Sequence, residues 1–136
     1  MAGKTFKLEI VTPEQIVLKQ DSASVVVPGA EGSLGILADH APLMVELKAG
    51  VVYMKDADGN ETTYALSGGF MEVNSNVVRI LADTAEPGTE IDIERAEAAL
   101  KRAEERLRAS DANIDTTRAE AALKRALARL QAAHHH

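Results

Sequence analysis

Over residues 5–81 apolar and polar positions alternate in short runs, and after Ile91 the alternation gives way to a helical period. In residues 5–11, Phe6, Leu8 and Ile10 alternate with polar partners. Similar runs follow at 15–19, 23–27, 34–37, 43–47, 51–55, 62–66, 70–73 and 77–81. Runs this short, rich in β-branched residues and separated by turn residues, predict nine strands. Asp58-Gly59 marks a hairpin turn between two of them, because aspartate and glycine tolerate the positive φ of a tight turn. With no helical pattern among them, the strands predict an antiparallel β-sandwich, or flattened barrel, over residues 1–84. Residues 85–90 read as a linker, since Pro87 has no N–H with which to extend a ladder and Gly88 frees the chain to turn. Residues 91–133 predict two antiparallel helices, so the fold class is α+β with the two kinds of element segregated. His134, His135 and His136 read as the remnant of a purification tag.

The helical third contains its own near copy. Residues 91–107, IDIERAEAALKRAEERL, return 23 positions later as residues 114–130, IDTTRAEAALKRALARL, with 13 of 17 positions identical. That is one helix and its sibling joined by a turn. The apolar stripe is narrow: Ile93, Ala96, Leu100, Ala103 and Leu107 in the first helix, and Ala119, Ala122, Leu123, Ala126, Leu127 and Leu130 in the second. At about 25 cal/mol per Å² of apolar surface, so much alanine buries little. The hairpin is therefore marginal alone and must draw stability from the sandwich, a ligand or a partner. Weak docking is what a movable element requires, and it also leaves open an exchange of helices between two copies, a domain-swapped dimer of the isolated chain.

Charge divides the chain the same way. Residues 1–89 hold 12 acidic and 6 basic residues, the whole net charge of −6, whereas residues 90–130 hold nine of each. An acidic sandwich in a chain with four aromatic residues offers no stacking platform and argues against nucleic-acid binding. The 136-residue chain has no cysteine, which excludes disulfides and thiolate metal sites. His40 is the only histidine outside the tail and cannot make a metal centre by itself, so no metal site is expected. Without a nucleophile triad or a phosphate-cradling GxxxxGK[ST] loop, an enzymatic reading has no catalytic residues to stand on. No segment approaches the roughly 20 apolar residues of a membrane span. The N-terminus lacks a signal-peptide pattern, and the chain reads as soluble and intracellular.

Three segments together carry a family resemblance: GAEGSLGILADHAPLMVEL (residues 29–47), LSGGFMEVNSNVVRILADTAE (66–86) and the helical opening IDIERA (91–96). The chain resembles the epsilon subunit of bacterial and chloroplast F-type ATP synthases over essentially its whole length. It departs in carrying Ala38-Asp39 where many members have Pro-Gly. The resemblance implies a non-catalytic stalk subunit of a rotary, proton-translocating machine, whose sandwich binds the gamma subunit and the c-subunit ring. It implies a hairpin that either folds against the sandwich or extends along gamma into the alpha/beta catalytic head, where it inhibits ATP hydrolysis. The segment 31–42 is then the part that meets the c-ring and gamma, with Glu31, Leu34, His40 and Pro42 as contacts. The implied location is peripheral, on the cytoplasmic face of a bacterial plasma membrane or, as the alternative, the stromal face of a thylakoid, with no insertion into the bilayer.

Some members of the family bind ATP through Ile/Leu-Asp-x-x-Arg-Ala, which stands here as residues 91–96. Carried over position by position, the pattern gives Glu86, Asp92, Arg95, Ala96, Arg102, Arg125 and Arg129, with ATP, alone or with Mg2+, as a regulatory ligand. The chemistry agrees: arginine's planar fork matches phosphate oxygens, and a carboxylate suits the exocyclic amine of adenine. Each residue also has a plainer reading. Asp92 and Asp115 stand where N-caps belong. The arginines fit i,i+4 pairs on a solvated face, as Glu97–Lys101 and Glu104–Arg108 illustrate. Gly68-Gly69 reads as a bulge or a close backbone approach. Beside the sensor stand a purely structural coupling subunit and a free-standing adaptor.

Overall fold

The computed structural model describes residues 4–109 and 115–134. Ten strands come first: β1 (Phe6–Val11), β2 (Ile16–Ser22), β3 (Ser24–Gly29), β4 (Gly32–Leu37), β5 (Leu43–Leu47), β6 (Gly50–Lys55), β7 (Glu61–Leu66), β8 (Gly69–Asn74), β9 (Val77–Ala82) and β10 (Ala85–Pro87). A 3-10 turn, Gly88–Glu90, leads into α1 (Ile93–Ala109) and α2 (Thr116–His134). One layer runs β10-β7-β6-β3 with β4 on the far side of β3, and the other runs β5-β8-β9-β1-β2. The layers join where Gly29 of β3 pairs with Leu47 of β5, which makes a nearly closed barrel. Alternation does its work here: Phe6, Leu8 and Ile10 of β1, Val25 and Val27 of β3, and Val78 and Ile80 of β9 all point into one core with Val52, Met54 and Met71.

Two details differ from the sequence reading. Residues 85–87, read as linker, form a tenth strand in which Glu86 pairs with Ala65 and Pro87 with Tyr64. Proline is admissible there because it ends an edge strand with no further neighbour to receive its missing N–H. The sandwich also holds one parallel pair, β1 with β9. These strands meet across most of the domain, so no hairpin dictates their direction.

The turns follow the predicted chemistry. Asp56 accepts from the backbone N–H groups of Asp58 and Asn60, each at 2.9 Å, and from Asn60 Nδ2 at 3.0 Å, closing the β6–β7 hairpin. The Asn60 bonds hold the Asp56 carboxyl below its ordinary value of 3.8. Gly69, at φ 150°, brings its backbone against the Leu81 carbonyl, where a side chain has no room. Asp39 takes φ 62° and donates its N–H to Asn76 Oδ1 at 2.8 Å. Aspartate is among the few residues that enter the left-handed region without heavy strain.

Candidate functional site

The hairpin is folded onto the sandwich. α2 lies across β6 and β7, and its Ala128 and Ala132 are buried with Val51, Ala65, Ile91 and Ala96 in a second, smaller cluster. Only small side chains allow this approach. The Thr63 hydroxyl donates to the Ala132 carbonyl at 2.9 Å in a fully buried bond. A Cβ on Gly88 would fall against Thr63 Oγ1 and within 2.5 Å of that same carbonyl. Ala132 sits in the last turn of α2, where carbonyls lack helical partners, so Thr63 acts as a cap supplied by the sheet.

The repeat now has a geometric meaning. Besides Arg108-Ala109 at the end of α1, each helix carries an Arg-Ala doublet that returns seven residues on, at 95–96 and 102–103 in α1 and at 118–119 and 125–126 in α2. All four alanines are buried, at 0%, 1%, 2% and 2% exposure. Each arginine precedes its alanine and so stands about 100° round the helix from the buried seam. α1 and α2 pack against each other. Of the candidate residues, Glu86, Arg125 and Arg129 come together at one cleft, and Asp92, Arg95 and Arg102 are not among its lining. Arg125 and Arg129 line a cleft of about 60 Å³ with Ala65, Leu66, Ser67, Thr84 and Glu86. Arg129 Nε donates to Glu86 Oε1 at 2.8 Å and its second nitrogen to Oε2 at 3.3 Å, a fork that ties α2 to β10. Arg95, Arg102 and Arg125 form no ion pair among the described residues.

Asp92 caps α1, its Oδ1 accepting from Arg95 N at 3.1 Å, and Asp115 caps α2 through Arg118 N at 3.1 Å. Ala96 lies inside the docking cluster, where its part is close packing. Of the two i,i+4 pairs read from sequence, Glu104–Arg108 is present at 3.5 Å. Sequence reasoning passed over Arg118, although the Arg-Ala doublet signals it. It also passed over Thr63, Ser67 and Thr84, which the sheet alone brings to α2.

The stripes are narrower than expected. Ile93 and Leu127 are exposed at 37% and 48%. Ala128 and Ala132 are buried although they lie off the predicted stripe, because α2 faces the sheet as well as α1.

The segment 31–42 is a strand between two turns and not a single loop. It contains β4, with Glu31 exposed in the turn before it and His40 and Pro42 beyond it. Six extended residues span roughly 20 Å, so Glu31 and His40 occupy opposite ends of the sheet. Glu31 and Leu34 line a cleft with Met44, Val45 and Glu46. His40 Nδ1 lies 2.7 Å from the Ala41 carbonyl. Among the described residues no helix is long and apolar enough to cross a membrane, and no group of three metal-ligating side chains occurs.

Known proteins match this arrangement along the whole chain. Residues 5–88 match the family described as the beta-sandwich domain of the ATP synthase Delta/Epsilon chain, and residues 89–134 match its long alpha-helix domain. The ATP synthase epsilon chain of Syntrophomonas wolfei is 49% identical over 114 residues, covering 84% of this chain and 83% of its own length. That of Moorella thermoacetica is 52% identical over 104 residues, covering 76% and 78%. Among solved structures, a chain of the Euglena gracilis mitochondrial ATP synthase, OSCP/F1/c-ring in rotational state 1, superposes with a TM-score of 0.85 at 28% identity, covering 99% of this chain and 84% of that one. A chain from the central stalk and c-ring of the Tetrahymena thermophila enzyme shares the fold, with a TM-score of 0.59 at 14% identity, over 97% of this chain and 96% of that one. A sandwich with a folded-down helical pair, matched by both family domains and by epsilon chains near half identity, places this chain in the ATP synthase delta/epsilon family, as an F-type epsilon subunit.

Proposed function

We propose that this chain couples the central stalk of its ATP synthase to the rotor ring and regulates it through a nucleotide-gated hairpin. On this reading the sandwich binds a gamma subunit and the c-ring. The hairpin, held down by ATP, inhibits ATP hydrolysis at the alpha/beta head when it is released. The complex works at the cytoplasmic face of a bacterial plasma membrane, and the chain itself is not catalytic.

One observation carries this reading: Arg125 and Arg129 of α2 meet the sheet at Glu86, while the buried residues that the two helices themselves bring to the docking cluster, Ala96, Ala128 and Ala132, are all alanine. The donor set fits a polyphosphate, since among the described residues Arg102 and Arg125 form no ion pair and Arg129 already presents its fork to a carboxylate. Arg95, Arg102, Arg125 and Arg129 would hold phosphate, and Glu86 and Asp92 would accept from the adenine amine. The cleft of about 60 Å³ admits one phosphate group and not a nucleoside, so the rest of the ligand requires the crevice to widen. Glu86, the one carboxylate among the described residues lining the cleft, is held in the Arg129 fork, and binding without turnover is expected. Titrating the chain with ATP in a calorimeter, with ADP and GTP as controls, tests the reading. Selective heat for ATP, lost in Arg125→Ala, supports it, and no heat at millimolar ATP overturns it.

The structural-coupling alternative is favoured by a specific pair of contacts. The Glu86–Arg129 fork and the Thr63–Ala132 bond use protein groups alone, and on this alternative they suffice to hold the hairpin down at any ATP concentration. Unchanged melting with and without ATP selects that alternative.

A further inference from the structure

Sheet edges invite pairing, and most proteins guard them with charge, proline, bulges or shortness. Two edges of this sandwich are guarded. β2 pairs with β1 through a register shift between Ile10 and Val11 and carries Lys19 and Asp21. β10 is three residues long and ends in Pro87.

β4 has none of these devices. Its sequence, Gly32-Ser33-Leu34-Gly35-Ile36-Leu37, is uncharged, and it pairs with β3 without a break from Ser24↔Leu37 to Gly29↔Gly32. Among the described residues its other side pairs with nothing. The parity of the free groups can be fixed. Pro28 has no N–H, and its carbonyl accepts from Lys48 N at 2.9 Å, so Pro28 turns its backbone away from β4. Pro28↔Ser33 is therefore a pair without mutual hydrogen bonds. Such pairs alternate along the ladder, so Val26↔Gly35 and Ser24↔Leu37 are of the same kind. The N–H and C=O groups of Ser33, Gly35 and Leu37 thus face the open edge. Leu37 is 66% exposed beside it, and the Gly32 end opens into a cleft of about 480 Å³ between the β3–β4 turn and β5.

We infer that β4 is a docking edge that takes an extended segment of another subunit as an added antiparallel or parallel strand, with Ser33, Gly35 and Leu37 supplying the backbone bonds. A second copy of this chain fits poorly. In the self-pairing register that uses all three residues, Gly35 meets Gly35 and each Glu31 stands opposite an Asp39, which places like charges across the pair on an acidic sandwich. Of the acids flanking the edge, Asp39 already faces Lys4 Nζ at 3.5 Å, whereas Glu31 has no ion pair among the described residues, so the edge suits a segment that is neutral in its middle and basic at the end that meets Glu31. That the segment belongs to a stalk partner rests on the functional reading above.

Hydrogen exchange of residues 32–37 in the free chain and in the ATP synthase assembled with it tests the inference. Protection on assembly of about tenfold or more is expected. Gly35→Pro, which removes an outward N–H without touching a β3 bond, is expected to weaken assembly by about the same factor. Should that variant melt early, Leu37→Lys supplies the same test with the backbone intact. Equal exchange in both states overturns the inference, as does a free-chain dimer that protects these same amides. Failure of the wild-type chain to assemble overturns the functional reading as well, whereas assembly without protection overturns the inference alone.

Discussion

Thr63→Val removes one hydroxyl from the docking face and changes the shape of the side chain hardly at all. In the docked state the Ala132 carbonyl then stays buried, at 0% residue exposure, with its sheet partner gone. In the undocked state the same carbonyl reaches water and loses nothing. The penalty therefore falls on docking alone and amounts to about 1–3 kcal/mol, the cost of a buried acceptor left unsatisfied. At about 1.4 kcal/mol per tenfold, the ratio of docked to undocked hairpin falls roughly 5- to 150-fold. Because α2 is marginal when detached, its amides exchange through undocking, while the β1 and β9 amides exchange through global unfolding. Amide exchange should show α2 protection reduced by that factor with β1 and β9 unaffected, and Thr63→Ser should restore it. Protection of α2 within about twofold of wild type would refute the argument, as would equal losses in sandwich and hairpin.

Gly88→Ala attacks the same contact by crowding, since the new Cβ meets the Ala132 carbonyl at 2.5 Å, and should release α2 in the same exchange assay. Asp92→Ala should cost about 1 kcal/mol of α1 stability by circular dichroism, with Asp92→Ser recovering most of it; a serine variant as weak as alanine contradicts the capping role. Burial, with Glu90 adding to it, raises Tyr64 above its ordinary value of 10.0. The folded state then holds the phenol proton more tightly than the unfolded state. That contribution is complete below pH 10.0 and is lost as pH climbs through the folded value. Denaturant melts should weaken on the alkaline side, and Tyr64→Phe should flatten that decline.

The strands were legible because alternation, β-branched residues and turn signals such as Asp58-Gly59 are local. β10 was not, since three residues ending in Pro87 carry no period and pair only because β7 presents an edge. In the helices one seam was legible from the Arg-Ala doublets, because Ala96, Ala103, Ala119 and Ala126 repeat every seven residues within each helix. The second face of α2 was not. Ala128 and Ala132 are buried by the sheet, and a helical period cannot announce a partner that lies elsewhere in the chain. Leu127, apolar and in phase with the stripe, ends exposed for the same reason. At the candidate site Glu86, Arg125 and Arg129 came from the family pattern, and the fold brings all three to one cleft. Thr63, Ser67 and Thr84 are ordinary strand and turn residues by sequence, and only the docking of α2 gives them a role.

The chain has no cysteine, so two engineered ones can report the position of the hairpin without interference. Ala98→Cys on α1 and Lys55→Cys on β6, spin-labelled and measured by pulsed electron resonance with and without ATP, test the nucleotide-gated hairpin most directly. The account predicts a single short distance at saturating ATP and a broader, longer distribution when ATP is removed. An identical short distribution in both conditions would contradict it and leave a hairpin that is docked for good.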